Sequence, residues 1–288
     1  MNTGKHKIMK IKEVFLLASL AIVMAFQSCS EDNPNTTGTL KIQITDAPFP
    51  HDMVDEANIT ISKIEVRKSD ETEGESPFMV LSEEERTINL LDLTNGLTET
   101  LVNKEVPVGS YNLVRLYIKE ASVLLTDGRF FDLKVPSGSQ TGIKVFVKPE
   151  IRVVGGLSED LLLDVDVSKS FVPQGNMNSA SGIRGFHFKP VIKAANLSTT
   201  GSLIGAVTDT ISNPLEGVQI SVYAADTLNT TTFTDASGNY MVLGLLAGIY
   251  EVEAELEDFI SQEVESLEIV AGNNTTQNFA LVPKIILD

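Results

Sequence analysis

The sequence lacks tryptophan and has a single cysteine and three histidines among its 288 residues. One cysteine cannot form an intramolecular disulfide, and so few soft ligands exclude a structural zinc cage. Basic residues are also scarce: 22 Lys and Arg stand against 39 Asp and Glu, a net charge of −17. This acidic excess opposes phosphate recognition, so nucleic acid is not an expected partner. The 42% apolar content is enough for buried hydrophobic cores.

The first 28 residues have the pattern of an export signal peptide, with four lysines ahead of an apolar run at residues 14–26. A helix of that length spans roughly 20 Å, which is short of the about 30 Å hydrocarbon core of a bilayer. We therefore expect cleavage rather than a retained membrane helix.

The only cysteine directly follows the apolar run, in the order Phe26-Gln27-Ser28-Cys29. This segment resembles the lipobox of bacterial lipoproteins in its loose, Bacteroides-type form, in which the cysteine becomes the first mature residue. The resemblance implies lipid attachment at Cys29 and a membrane anchor, since each buried CH₂ of an acyl chain contributes ~0.8 kcal/mol. The alternative is a chance cysteine at the end of a secretory signal.

The residues after Cys29 bear on the side of the membrane that the protein faces. The pair Glu31-Asp32 resembles the tag that directs lipoproteins of this bacterial group to the outer face of the outer membrane. We expect a lipid-anchored outer-membrane protein that faces the cell exterior; the alternative is the periplasmic face, with the pair as a solvated linker. Without residues 1–28, 18 basic and 38 acidic side chains remain, so lipid and not protein charge would provide the anchor.

The rest of the chain has the pattern of many short β-strands separated by turns rich in Gly, Pro, Asn and Asp. Their spacing of about ten residues is typical of antiparallel sandwiches, so the predicted fold class is all-β with two antiparallel β-sandwich domains in tandem. Short helical turns are expected only within residues 82–86 and 91–103. The predicted units are a tether at 29–37, a sandwich at 38–197, a polar hinge at 196–201 and a smaller sandwich at 201–283, each sandwich folding independently.

The C-terminal unit has turn-forming motifs at regular spacing, in which Pro and Gly shape the connections between strands. The motifs are Gly205-Ala206-Val207-Thr208-Asp209, Pro214-Leu215-Glu216-Gly217-Val218-Gln219-Ile220, Thr234-Asp235-Ala236-Ser237-Gly238-Asn239-Tyr240 and Leu246-Ala247-Gly248-Ile249-Tyr250. Together they resemble a carboxypeptidase regulatory-like domain. The resemblance implies a transthyretin-like, carbohydrate-binding-like sandwich that serves as an accessory module of extracellular bacterial proteins.

Residues 38–195 have a second set of motifs. They are Thr45-Asp46-Ala47-Pro48, Leu90 to Gly96, Val106-Pro107-Val108-Gly109-Ser110-Tyr111, Arg115-Leu116, Val135-Pro136-Ser137-Gly138, Gly142-Ile143-Lys144, Leu163-Asp164-Val165-Asp166 and Phe188-Lys189-Pro190. The set resembles an uncharacterised family, a domain of unknown function found in bacterial lipoproteins and often followed by such a module. The resemblance implies architecture and location but no reaction.

Two aspartates are the first candidates for chemistry. Asp164 and Asp166, at positions i and i+2 of a strand, project from one face and could bind Ca²⁺ together with Asp46 or Asp127. The segment lacks the glycine of an EF-hand loop, so we expect no metal.

A structural role for one of these aspartates is the preferred interpretation. By alternation, Arg115 shares a strand face with Tyr111, Leu113 and Tyr117, and a partly buried arginine usually needs a carboxylate. We therefore predict a structural ion pair between Arg115 and Asp166.

No residue pattern indicates catalysis. His51 and His187 have neither a recognisable nucleophile nor metal-binding spacing, and Gly138 to Gly142 lacks the Lys-Ser/Thr of a phosphate loop. Two facing carboxylates would suffice for glycoside hydrolysis, but nothing singles out a pair. We expect a protein that is not an enzyme and uses no cofactor.

Exposed aromatic side chains are the usual device for glycan binding. Alternation assigns most of the aromatics to cores, among them Phe146, Tyr223 and Phe279. The remaining loop candidates are Phe49, Phe130, Phe131, Phe171 and Phe186. Separately, Thr210 and Thr227 follow aspartates in tripeptides that resemble the O-glycosylation signal of Bacteroides-type bacteria.

The expected function is a surface binding protein, with a glycan as the leading ligand because of the fold analogy. The alternative is a structural or adhesive surface protein, whose sandwiches are spacers and whose partner is another surface protein. A third interpretation is an unrecognised glycan-active enzyme. An aromatic-lined concave face distinguishes the first two, because a glycan binder needs one and a spacer does not.

Overall fold

The structure is a computed structural model that describes residues 36–47, 53–69, 78–135, 141–176 and 179–284. The export signal, Cys29, Phe49 and His51 lie outside these ranges. Strands make up most of the described chain and helix is confined to single turns, so the prediction of an all-β fold with two sandwiches is confirmed. Within the described ranges, no helix has the length and hydropathy needed to cross a membrane.

The N-terminal sandwich contains the first twelve strands of the described chain. They are β1 Thr37–Ala47, β2 Val54–Lys68, β3 Phe78–Ser82, β4 Arg86–Asn89, β5 Glu99–Pro107, β6 Gly109–Leu125, β7 Phe130–Leu133, β8 Ile143–Val153, β9 Ser158–Asp166, β10 Phe171–Gly175, β11 Ile183–Phe188 and β12 Ile192–Asn196. Single turns of 3₁₀ helix lie at Leu90–Leu93 and Ala180–Gly182, and the one-turn helix α1 covers Val167–Ser170.

Ten of these strands form one sheet in the order β3-β2-β6-β8-β12-β9-β1-β5, with β4 beside β2 and β7 beside β6. The sheet curls around its own core, because its two edges meet: Lys104 Nζ on β5 donates to the carbonyls of Val80 and Leu81 on β3, both at 3.3 Å. Most pairs are antiparallel, as predicted, but β1 with β9 and β8 with β12 are parallel. Alternation predicts which side chains are buried, whereas it does not predict the direction of the neighbouring strand.

The C-terminal sandwich has two sheets, in the orders β16-β13-β21-β18, with β20 beside β13, and β15-β14-β17-β19. Its strands are β13 Thr200–Asp209, β14 Gln219–Ala224, β15 Thr227–Phe233, β16 Asn239–Leu246, β17 Gly248–Glu255, β18 Phe259–Ile260, β19 Gln262–Ile269, β20 Asn274–Thr276 and β21 Phe279–Pro283. The apolar faces of the two sheets, with Leu203, Ile220 and Val252 among them, enclose a hydrophobic core separate from that of the first sandwich.

Two local expectations need correction. Residues 82–86 connect β3 to β4 without a helical turn. Of residues 91–103 only 91–93 lie in a 3₁₀ turn, because a loop at 94–98 and then β5 follow. The strand β6 has an irregular register between Tyr111 and Leu113. This bulge places Tyr111 in the hydrophobic core, so Tyr111 does not share a face with Leu113 as alternation had predicted.

The segment predicted as a polar hinge is a short turn held by hydrogen bonds. Leu197 N donates to Asp160 O at 2.9 Å, and Thr200 Oγ1 donates to Asn196 O at 3.0 Å. The strand β16 of the second sandwich lies along the first sandwich. A Cβ built on Gly244 of β16 would be 3.0 Å from Ala195 Cβ. The two sandwiches therefore lie side by side; whether each folds alone remains a prediction.

A second contact between the sandwiches lies at the Asn95-Gly96 turn, which follows the first 3₁₀ helix. The Asn95 side chain accepts a hydrogen bond from Met241 N at 2.5 Å and donates to Asn239 O at 3.3 Å. Both partners are backbone groups of β16, an edge strand, so the Asn95 amide occupies the position of a neighbouring strand. A Cβ on Gly96 would lie 2.4 Å from Met241 Sδ, and the φ of +78° also favours glycine at this position.

Candidate functional site

The central candidate site is the side of β2, β6 and β8 that faces away from the hydrophobic core, called the outer face below. Cross-strand register arranges its side chains in rows. One row contains Glu65, Arg115 and Lys144, and the next contains Arg67, Leu113 and Phe146. Glu65 and Arg115 of the first row belong to an ion-pair network, and Arg67 and Phe146 of the second row line a groove.

In the network, Arg115 pairs with Glu65 and not with Asp166, so the predicted ion pair is wrong. Arg115 Nη1 lies 3.2 Å from Glu65 Oε2, because the two residues are opposite each other on β6 and β2. Lys63 Nζ is 2.9 Å from the other carboxylate oxygen, and Tyr117 OH donates to Oε2 at 3.0 Å. The Arg115 guanidinium also stacks on the Phe78 ring, 3.5 Å from its centroid.

These contacts determine the ionisation of Glu65, whose side chain is only 9% exposed. Burial by itself raises the pKa of Glu65, but the hydrogen bonds from Lys63 and Tyr117 and the charges of Lys63 and Arg115 outweigh it, so the pKa is lowered. The carboxylate is therefore charged and fully partnered. This network is a structural element of the outer face.

Asp166 has a different structural role, at the end of β9. Its Oδ1 accepts hydrogen bonds from Lys169 N at 3.0 Å and Ser168 Oγ at 2.7 Å, and its Oδ2 lies 2.5 Å from Lys169 Nζ. Burial raises the pKa of Asp166, but these hydrogen bonds and the Lys169 charge lower it by more. Asp166 is the N-cap of α1.

The groove contains the aromatic residue that the sequence analysis placed in the core. Phe146 is 55% exposed, because Val145 and Val147 on either side point inward and β8 alternates. Beside it lies a cavity of about 370 Å³, lined by Arg67, Asn112, Phe146, Val147, Lys148, Pro149 and Glu150. Lys148 Nζ lies 5.9 Å from the centroid of the Phe146 ring. An exposed aromatic ring at a concave, polar-lined surface is the feature that separates a binder from a spacer.

Polar side chains of the groove are held in place by hydrogen bonds. Arg67 Nε donates to Asn112 Oδ1 at 2.9 Å, and Ser69 Oγ donates to Glu150 Oε2 at 2.9 Å. Arg67 forms no ion pair within the described ranges, so its terminal nitrogens remain available to a ligand. Hydrogen-bond donors and acceptors thus both lie around the aromatic ring.

Most of the other aromatic candidates do not line a binding surface. Phe171 and Phe186 are buried, and Phe131 packs against Phe186 with ring centroids 5.6 Å apart. Phe130 is 57% exposed, but it does not line the groove. Phe279 is buried, as predicted, and Tyr223 is partly buried.

A second polar cluster lies where the sandwiches meet, and it contains Asp164 and Asp46. Asp164 borders a small cavity of about 20 Å³ and a neighbouring one of about 130 Å³, both lined by residues of the two sandwiches. Its position is deep in the protein, although these cavities leave part of its surface accessible. Lys193 is opposite Asp164 on β12, but the Lys193 ammonium donates to the carbonyl of Asn229 instead.

Both junction carboxylates have raised pKa values. Burial raises the pKa of Asp164 to about 6; the Lys193 charge opposes this, and the Asp166 charge adds to it. Burial and the charge of Asp164 raise the pKa of Asp46 well above its usual value. Among the described residues, neither Asp46 oxygen accepts a hydrogen bond of good geometry, and the nearby backbone N–H of Val167 offsets the shift only in part. A carboxylate within the apolar run of β9 was the sequence signal for this cluster.

The remaining sequence candidates lie apart from these clusters. Asp127 pairs with Arg129, with Oδ2 2.9 Å from Nε. His187 is exposed and contacts Gln174, while Thr210 and Thr227 are exposed. In the part of the chain that the structure describes, no three His, Cys, Asp or Glu side chains are grouped to hold a metal ion.

Fold and site together define a class: an all-β protein of two sandwiches packed side by side, with a groove on the first. The chain belongs to the family described as Domain of unknown function (DUF4382), whose model matches residues 37–190, more than half of the chain. A carboxypeptidase regulatory-like domain matches residues 202–282. Both matches confirm the domain architecture predicted from the motifs. No curated protein matches the chain significantly.

Among solved structures, a Bacteroides uniformis protein assumed to bind carbohydrate is 23% identical, with a TM-score of 0.25; 28% of this chain and 41% of that chain are covered. The shaft pilin SpaA of Lactobacillus rhamnosus GG is 12% identical over 87% of this chain and 100% of that chain, with a TM-score of 0.26. A minor pilin of Streptococcus agalactiae is 11% identical over 86% and 98%, with a TM-score of 0.25. The chain spans 41% to 58% of the first four structures it matches.

Proposed function

We propose that this protein is a lipid-anchored binding protein of the outer membrane, facing the cell exterior, that binds a glycan in the groove beside Phe146 and catalyses no reaction. The observation that carries the proposal is the half-exposed Phe146 ring at a cavity of about 370 Å³ with hydrogen-bonding side chains around it. A cavity of this size is in the range of small-ligand sites.

The chemistry of the groove suits a sugar. The C–H face of a sugar ring packs on an aromatic face, while hydroxyl groups both donate and accept hydrogen bonds. Phe146 supplies the aromatic face, Arg67 and Lys148 are donors, and Glu150 is an acceptor. The fixed positions of Arg67 and Glu150 lower the entropy lost on binding.

A glycan array with the mature chain, residues 29–288, tests the binding proposal. We expect Phe146→Ala to abolish the signal on any glycan that the parent protein binds. Phe130→Ala removes a ring of similar exposure outside the groove and should leave binding unchanged. Equal loss in both variants, or unchanged binding by Phe146→Ala, would place the ligand elsewhere.

The anchor and the location rest on the single cysteine directly after the export signal and on the acidic pair behind it. We expect Cys29→Ser to move the protein from the membrane fraction to the soluble fraction. Protease added to intact cells should digest the parent protein if it faces the exterior. A Cys29→Ser protein that stays with membranes contradicts lipid attachment, and protection from protease indicates the periplasmic face.

A structural or adhesive role is the second candidate, and the packing of the sandwiches favours it. The Asn95 hydrogen bonds to β16 and the close approach of Gly244 to Ala195 join the two sandwiches, as a spacer would require. In that case the array is empty and capture experiments yield a surface protein whose binding is insensitive to Phe146→Ala. Release of shorter fragments from a bound glycan would instead indicate an enzyme.

A further inference from the structure

Of the fifteen large apolar side chains that are exposed in the described ranges, six lie at one end of the molecule. These six, 38% to 59% exposed, lie in or beside turns at that end, which is called the proximal end below: Val108, Val154, Leu157, Leu246, Ile249 and Val270. The first three belong to the N-terminal sandwich and the other three to the C-terminal sandwich.

Backbone hydrogen bonds place the first three beside the point where the described chain begins. Thr36 O accepts from Val108 N at 3.0 Å, and Thr37 O accepts from Gly156 N at 2.9 Å. Leu157 O accepts from Thr39 N at 2.8 Å. The two turns therefore flank the first described residues on both sides.

The connection between the sandwiches brings the other three to the same end. Ser198 Oγ donates to Glu159 Oε2 at 3.1 Å, two residues from Leu157, so the connecting turn lies at this end of β9. Beyond that turn, Thr200 is paired with Leu246, and Gly272 N donates to Thr200 O at 2.8 Å. Ile249 and Val270 flank the adjoining pair of Gly248 with Ile269.

The anchor proposed above would keep this end close to the bilayer. Only six residues separate Cys29 from Thr36. Even fully extended, at ~3.5 Å per residue, that length reaches roughly 25 Å. The proximal end is therefore the part of the molecule nearest to the lipid.

We propose that the proximal end contacts the membrane surface, with these six side chains at the lipid headgroup boundary. The proposal rests on lipid attachment at Cys29. Apolar side chains at that depth leave water, and their contribution adds to that of the anchor. Contact at the proximal end would hold both sandwiches against the bilayer and keep Ile211, which follows the far end of β13, away from it.

The test uses the absence of tryptophan and the single cysteine of the chain. Residues 29–288 are coupled through the Cys29 thiol to phosphatidylcholine vesicles that contain a maleimide lipid, so the geometry is tested whether or not cells acylate the protein. Leu157→Trp and Val270→Trp each place one reporter at the proximal end. Ile211→Trp is the matched control, because Ile211 is 78% exposed and follows the far end of β13.

With lipids brominated on the acyl chains, we expect quenching of the Leu157→Trp and Val270→Trp emission to exceed that of Ile211→Trp by at least about twofold, with a blue shift on coupling. Equal quenching at all three positions overturns the proposal. A blue shift before coupling that grows with protein concentration also overturns it, because it shows that another protein copy covers this end. Failure of lipid attachment appears separately, as a soluble parent protein in cell fractionation.

Discussion

Glu65 and Asp164 are both carboxylates in the first sandwich that are largely removed from solvent, yet their pKa values move in opposite directions. The pKa of Glu65 is lowered because Lys63, Tyr117 and Arg115 surround the carboxylate, although burial by itself raises the pKa. The pKa of Asp164 is raised to about 6 because burial dominates. Its cross-strand neighbour Lys193 donates its hydrogen bond to the carbonyl of Asn229 instead.

The difference teaches that partners, not depth, decide whether a buried charge stabilises the fold. A charge that loses water without gaining partners destabilises the folded state, and a charge within a complete network does not. The two sites should therefore respond to neutralisation with opposite signs, and four substitutions test this comparison.

Glu65→Gln should have the largest effect, a loss of roughly 2–4 kcal/mol in the free energy of unfolding at pH 7. It leaves Arg115 and Lys63 without a charged partner, and the 21% exposure of the Arg115 side chain keeps the loss below that of a fully buried pair. In the parent protein, Glu65 contributes to the free energy of unfolding above its pKa in the unfolded state. This contribution is lost as the pH falls through its lower pKa in the folded state. Urea unfolding at pH 7 and pH 4 measures both effects.

The control for this substitution is Glu84→Gln, which breaks the ion pair with Arg86, 2.7 Å long but at the surface. Surface pairs contribute little, so we expect a change of at most about 0.5 kcal/mol. If the two variants lose the same stability, the outer-face network is not the partnered site described above.

Asp164→Asn should stabilise the protein at pH 8, by roughly 1–2 kcal/mol. A shift from 3.8 to about 6 corresponds to about 3 kcal/mol, and the cavities that reach Asp164 reduce this through solvent screening. The pKa of Asp164 is higher in the folded than in the unfolded state. The contribution of Asp164 to the free energy of unfolding of the parent protein therefore falls as the pH rises from about 4 to about 6, and it is lowest above pH 6. Unfolding at pH 5 and pH 8 should show this slope in the parent and a smaller one in the variant, where burial still raises the pKa of Asp46.

The exposed Asp132→Asn is the control for Asp164→Asn, and it should show neither effect. Destabilisation of Asp164→Asn at pH 8 would mean that the carboxylate has a favourable partner at the junction. The contrast with Glu65 would then disappear.

The sequence analysis predicted the sandwiches and the need of Arg115 for a carboxylate, because alternation reports which residues are buried on one side. It did not identify Glu65, since strand order decides which carboxylate lies opposite, and β2 pairs with β6 far along the chain from β9. Alternation assigned Phe146 to the core, but the residues on either side, Val145 and Val147, are the ones that face inward. Three consecutive apolar residues do not reveal which ones face inward.

The junction of the sandwiches offers a smaller test of the same idea, with neutral groups. Asn95→Gly removes both hydrogen bonds to β16 while retaining the positive φ of 58° without strain. Each hydrogen bond contributes about 1 kcal/mol or less at a partly exposed site, so we expect a loss of about 1 kcal/mol. The Met241 N–H should also exchange faster with solvent deuterium.

Asp258→Gly is the matched control for Asn95→Gly. It places glycine at another non-glycine residue with positive φ, in a turn of the second sandwich. Unchanged exchange at Met241 in Asn95→Gly, or equal acceleration in both variants, would show that Asn95 does not hold the sandwiches together.

Asp166→Asn should have the smallest effect, because Asp166 is 13% exposed at the end of a strand but its partner Lys169 is 56% exposed, so solvent screens the pair. Asp166→Asn removes the ion pair with Lys169 but retains a side chain that caps helices well, so we expect a loss of about 0.5 kcal/mol. Millimolar Ca²⁺ should not change the melting temperature of the parent protein, since Asp166 already has Lys169 and Ser168 as partners. A rise in melting temperature with Ca²⁺ that Asp166→Asn abolishes would assign Asp164 and Asp166 to a metal site. The raised pKa of Asp164 would then reflect a missing cation rather than an unpartnered carboxylate.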